Sequence, residues 1–129
     1  MANINRTALG VKRKKGSSKA SYKEWSKYYN HKAWKDLRNL YLSQHPLCEE
    51  CERHGRVVSA EEVHHKVFIS YDNDENNRLK RLLNYDNLKS LCKTCHKAIH
   101  KKADKLGVSV CYELTPEEYE DAHQLKWMK

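Results

Sequence analysis

Apolar positions recur at helical spacing in one stretch of this chain, cluster as β-branched runs in two others, and are sparse across the first twenty residues. Ala33, Trp34, Leu37, Leu40 and Tyr41 fall three or four apart and predict a helix of about three turns, which Pro46 stops. Tyr22, Trp25, Tyr28 and Tyr29 interleave with lysines just ahead of it, and the rings read as core rather than as base-stacking platforms. Residues 56–58 and 63–69 are β-branched and read as the two short strands of a hairpin. Residues 70–77 are acidic and polar, hence a loop, with Leu79, Leu82 and Leu83 forming one helical turn after it. A further helix is predicted from about Thr94 to Asp104, with Gly107 past its end. Thr115-Pro116-Glu117-Glu118 predicts a last one: an N-cap hydroxyl, proline at the first helical position and a glutamate that closes a capping box. Tyr119, Ala122 and Leu125 share one side of it. Short strands among short helices make a small α+β fold.

Composition tightens this reading. With 129 residues, 39% apolar and 33% charged, the core must be small, and such cores are usually supplemented by a metal or by disulfides. No apolar run approaches the eighteen or so residues that span a bilayer. Arg6 and the cluster Lys12, Arg13, Lys14, Lys15 stand where a signal peptide would be apolar. We therefore expect a soluble, cytoplasmic protein with no membrane partner, in which five cysteines point to metal or chemistry rather than disulfides.

The net charge of +8 is uneven. Residues 1–47 carry eleven Lys/Arg against two acids, whereas residues 48–129 carry fourteen against fifteen. A basic arm on a nearly neutral body suits a polyanion such as nucleic acid, because Lys and Arg release counterions from phosphates. The expected organisation is a disordered arm (1–20), a helical segment (21–47), a core (48–106) and a C-terminal helical extension (107–129).

Cys48-x-x-Cys51 and Cys92-x-x-Cys95 offer four thiolates. Two residues between cysteines let both sulfurs converge on one ion, and two such pairs complete the tetrahedron of a structural zinc. Cys111 is left over as a small buried thiol. Four thiolates fill that shell, so the clustered histidines need another role. His64 and His65 are adjacent on a predicted strand and point to opposite faces, so one can hold a metal while the other takes a proton. His96 and His100, four apart, stack on one helix face. Residues His64, His96 and His100 then converge on one ion, with His65 alongside. His31, His45, His54 and His123 have no such neighbours in sequence and read as ordinary.

The string from Glu62-Val-His64-His65 through Asn87-Leu88-x-x-Leu91-Cys92-x-x-Cys95-His96 to His100 resembles the motif of the HNH (His-Me finger) nucleases. It closely resembles the versions with a knuckle on each side, common among bacteriophages and prophages, and Trp34-x-x-Leu37-Arg38 and Pro46-Leu47-Cys48 ahead of it are also similar to that group. The resemblance covers about residues 33–101. It implies a ββα-metal core with a structural zinc on the four cysteines, and metal-dependent DNA hydrolysis leaving 5′-phosphate and 3′-hydroxyl ends. It implies His65 as general base, Asn87 as the residue pinning the loop that orients the base, and His96 as a catalytic metal ligand beside His64 and His100. Both His100 and Asn87 stand as candidates to complete the metal shell.

The catalytic ion implied is Mg²⁺, Mn²⁺, Ni²⁺ or Zn²⁺; imidazole at position 64, where relatives often have a carboxylate, softens the site away from Mg²⁺ alone. Implied partners are DNA and, in the phage group, terminase or packaging proteins in a bacterial host. Lys89, Lys93, Lys97, Lys101 and Lys105 recur every fourth residue; from Lys97 onward they form a helical stripe, read as phosphate contacts or as a solvated face, and Lys93 joins Lys97 and Lys101 as a DNA-binding candidate. The rival reading is a zinc-ribbon module that binds nucleic acid without cutting it. It accounts for the cysteines and the arm but not for the spacing of His64, His65, Asn87, His96 and His100.

Overall fold

The structure, a computed structural model, describes residues 25–125. Lys12, Arg13, Lys14 and Lys15 of the predicted arm lie outside the described residues. Residues 25–29 are helical, followed by α1 (Lys32–Gln44), whose first turn is capped by His31: its Nδ1 accepts the Ala33 N–H at 3.2 Å. Trp34 and Tyr41 form the buried stripe of α1, as their spacing requires. A short helix α2 (Glu49–Arg53) begins at Cys48 and ends in a turn where Gly55 takes φ +82°, a conformation open to glycine at little cost.

Strand β1 (Glu62–His65) pairs antiparallel with β2 (Leu88–Leu91), setting Glu62 opposite Leu91 and His65 opposite Leu88. The expected hairpin between residues 56–58 and 63–69 is therefore corrected. Val57 is exposed, and Val58 instead accepts the Cys48 N–H, so this segment braces the first knuckle. The true partner of β1 lies more than twenty residues on, a pairing that local β-propensity cannot reveal.

The intervening loop also holds more structure than its polarity suggested. After a 3₁₀ turn (Ile69–Tyr71), α3 (Glu75–Leu82) starts at Asp74, whose carboxylate accepts the Asn77 N–H. A second 3₁₀ turn (Tyr85–Asn87) leads into β2. Helix α4 (Lys93–Leu106) is capped by Cys92 and closed by Gly107 at φ +70°, with Val108 N–H bonded back to Ala103. Helix α5 (Pro116–His123) has the full capping box at Thr115 and Glu118.

The two-stranded sheet is covered on both faces, by α1 and by α4. Tyr28, Trp34, Tyr41, Ile69, Leu82 and Leu88 pack under the first. Ile99, Leu91, Leu114 and Tyr119 pack round the four knuckle cysteines. Among the described residues, no helix is long and apolar enough to cross a membrane.

Candidate functional site

Cys48, Cys51, Cys92 and Cys95 form one buried group whose sulfurs lie within 4.8 Å of one another. The Cys51 sulfur is 3.8 Å from that of Cys92 and 3.7 Å from that of Cys95. Bonds of about 2.3 Å to a tetrahedral zinc set sulfur–sulfur edges of about 3.8 Å, so the group fits that ion. Its chemistry asks for one as well. By themselves the four thiols cannot all ionise: a hydrogen bond with Cys95 draws Cys48 down to about 5, while burial pushes Cys51 up to about 12. A divalent cation among the sulfurs removes that conflict.

Alternation along β1 sends its two histidines to opposite faces of the sheet. His64 turns to α4, where its ring centroid lies 4.9 Å from that of His96 and 4.5 Å from that of His100. These three offer ligand nitrogens within 4.8 Å of one another. The His64 Nε2 is buried with no hydrogen-bond partner among the described residues, and a metal ion is what such a nitrogen suits. Burial, with the neighbouring histidines, drives the His64 pKa well below its ordinary value; burial also lowers that of His96, against the pull of Glu62. Both are thus neutral at neutral pH, the state in which imidazole binds metal.

Glu62, two residues before His64 and so on the same face, sets its carboxylate 2.5 Å from His96 Nδ1. The sequence motif contained Glu62 but gave it no role, although the period of two in a strand was signal enough.

His65 turns the other way, against α1. Its ring lies 4.7 Å from that of Trp34, and its Nε2 is 3.0 Å from the Leu82 carbonyl. A carbonyl only accepts, so Nε2 carries the proton and the Nδ1 of the neutral ring holds the lone pair. Burial lowers the His65 pKa, opposed by the bond to Leu82, so the ring is free to take a proton at neutral pH.

Asn87 commits its side-chain amide to backbone groups. Its side chain accepts from Val67 N and donates to Val67 O and Arg81 O. It thereby ties the end of β1 to the segment that presents the Leu82 carbonyl. A cleft of about 810 Å³ opens over these groups, lined by all four histidines and, across from them, by Trp34 and Arg38 of α1.

Other residues stand apart from their sequence reading. Lys89 shares the four-residue spacing but is largely buried and bonded to the fully buried Glu50 at 3.2 Å, whereas Lys93, Lys97 and Lys101 are exposed along α4. Burial alone would raise the Glu50 carboxyl, but Arg53, the Leu114 N–H, Lys89 and His54 together hold it down to about 2. His54 and His123, read as ordinary, pack beside the cysteine group. His54 reaches Glu50 at 3.1 Å and the His123 Nε2 lies 3.2 Å from the Cys95 sulfur. No sequence signal pointed to either, because the contacts depend on how α2 and α5 dock.

Residues 48–102 match the family model of the HNH endonucleases. Among solved structures, the chain is similar to the HNH endonuclease of the deep-sea thermophilic bacteriophage GVE2, crystallised with manganese ion. The two are 28% identical, with a TM-score of 0.52 over 65% of this chain and 84% of that one. No curated protein matches the chain.

Proposed function

We propose that this protein, whose residues 48–102 match the family model of the HNH endonucleases, hydrolyses DNA phosphodiester bonds with one catalytic divalent ion and a histidine base. In this reading His64, His96 and His100 hold the catalytic ion, and Cys48, Cys51, Cys92 and Cys95 hold a structural zinc. When bound, the catalytic ion offsets charge on the scissile phosphate and on the departing 3′ oxygen.

The rest belongs to the chain. His65 takes the proton of the attacking water on Nδ1, the nitrogen left free by the bond from Nε2 to Leu82. Trp34 backs the ring and fixes its plane, and Asn87 holds the segment that orients it. Exposed Lys93, Lys97 and Lys101 contact phosphates flanking the cut.

One observation carries this reading: neighbouring histidines on one strand face opposite ways, one into a histidine cluster with an unpartnered nitrogen, the other onto a carbonyl that sets its tautomer. The test is conversion of supercoiled plasmid with Mg²⁺, Mn²⁺, Ni²⁺ or EDTA, beside His65→Ala. The expected result is metal-dependent cleavage that falls by about 10²–10⁴ in the variant, with zinc retained. Near-normal cutting by His65→Ala removes the base assignment. DNA binding without cleavage under every metal favours the zinc-ribbon binder instead.

A further inference from the structure

Zinc on four thiolates is a centre of net charge −2, and here all four cysteines are buried. Buried charge of that kind is stable only where hydrogen-bond donors reach it. The knuckles' own backbone supplies two. The Cys51 N–H points at the Cys48 sulfur and the Cys95 N–H at the Cys92 sulfur, each at 3.4 Å. These bonds serve the first cysteine of each pair and leave the second, Cys51 and Cys95, to be served from elsewhere.

Helix α5 reaches both. Tyr119 packs in the core cluster built round the four cysteines, and the His123 Nε2 lies 3.2 Å from the Cys95 sulfur. Tyr119 and His123 are four apart and so share one face of α5, their ring centroids 4.2 Å apart. Arg56 donates to the Tyr119 oxygen at 3.1 Å, which leaves that hydroxyl's own proton for sulfur. His54 stacks on the Tyr119 ring as well, 4.1 Å away and nearly parallel. The start of α5 is fastened too, by its capping box and by Lys102, which bonds Glu118 and the Glu113 carbonyl. All of α5 lies beyond the segment matched to the nuclease family.

We propose that α5 is a donor clasp on the zinc centre: Tyr119 and His123 hydrogen-bond the thiolates of Cys51 and Cys95 and thereby set how tightly the ion is retained. The inference rests on the zinc reading above. It assigns the C-terminal helix a role in metal retention separate from DNA cleavage. Donors of this type around metal ligands typically change affinity by about 10–100-fold when lost.

The test uses the full-length, zinc-loaded chain and three substitutions. Tyr119→Phe and His123→Phe keep the stacked rings and delete the donors; His123→Gln keeps an N–H donor without the ring. Zinc content is measured first, then zinc release to excess EDTA, followed with a zinc-indicator dye. The cobalt-substituted proteins supply a second readout, the thiolate-to-cobalt absorption band. The expected result is one structural zinc in each protein and release about tenfold or more faster in each Phe variant. The band should move to lower energy as the sulfurs lose their donors, and His123→Gln should recover most of both effects. Release and band unchanged in the Phe variants overturn the clasp while leaving the zinc reading intact. So does a Gln variant as fast as His123→Phe, because a restored N–H that slows nothing shows that donation at this position does not hold the ion. A wild-type chain that takes up neither zinc nor cobalt overturns the zinc reading and the clasp together.

Discussion

Asn87 holds both backbone groups of Val67: its Oδ1 accepts the Val67 N–H at 2.9 Å and its Nδ2 donates to the Val67 carbonyl at 3.0 Å. Such a two-pronged contact fixes the chain just beyond His65, and a third bond, to Arg81 O, anchors the residue before the one that orients the His65 ring. Asn87→Ala should therefore act on geometry. A misplaced base costs about 10²-fold in rate, so kcat is expected to fall by about that factor while DNA affinity stays near wild type. Single-turnover cleavage beside fluorescence anisotropy on the same DNA checks it; equal losses in both would place Asn87 in binding instead.

With His96 as a ligand of the proposed catalytic ion, Glu62 should bear on metal affinity through it. Its carboxylate lies 2.5 Å from Nδ1 of that ring, and a negative charge there favours the proton on Nδ1 over Nε2. Glu62→Gln is expected to weaken binding of Mn²⁺ at the histidine site by about 10-fold or more. Calorimetric titration of the zinc-loaded protein with Mn²⁺ measures this, and an unchanged isotherm would detach Glu62 from the site.

Glu50 is a matter of stability. It is fully buried and takes bonds from Arg53 at 2.6 Å, Lys89 at 3.2 Å and the Leu114 N–H at 3.0 Å. Removing one partner of a buried ion pair strands the others, at a cost of about 3–5 kcal/mol. Glu50→Ala should accordingly unfold at much lower temperature than Lys32→Ala, which loses only an exposed pair with Asp36. Comparable melting of the two variants would contradict the role given to Glu50.

The exposed lysines of α4 should show in the salt dependence of binding. If Lys97 and Lys101 each neutralise a phosphate, Lys97→Gln/Lys101→Gln lowers the slope of log K against log salt by about 0.9 per contact. An unchanged slope would make them a solvated helix face.

Much of the site is legible in the sequence because its spacing is local. Two cysteines three apart, two histidines four apart on one helix and two adjacent on one strand each fix a relative direction through backbone geometry alone. The helix start at Thr115 and the stop at Gly107 are equally readable, since caps are sequence-local. What failed was the hairpin. Residues 56–58 have the composition of a strand, but the sheet joins Glu62–His65 to Leu88–Leu91 across a polar insertion that carries its own helix.

The sequence by itself therefore determined the chemistry on offer: four thiolates in two knuckles, a histidine divided from its neighbour by the pleat of a strand, and an asparagine ahead of the second knuckle. Only the tertiary structure decided how these groups are tuned. Trp34 lies against His65, Glu62 against His96, Lys89 against Glu50, and His123 against Cys95. All four pairs join residues far apart in the chain. The physical reason is the range of the forces that set them. Backbone dihedrals propagate direction over a few residues, whereas burial and close electrostatic contact depend on which elements dock, and docking is settled by the whole core at once.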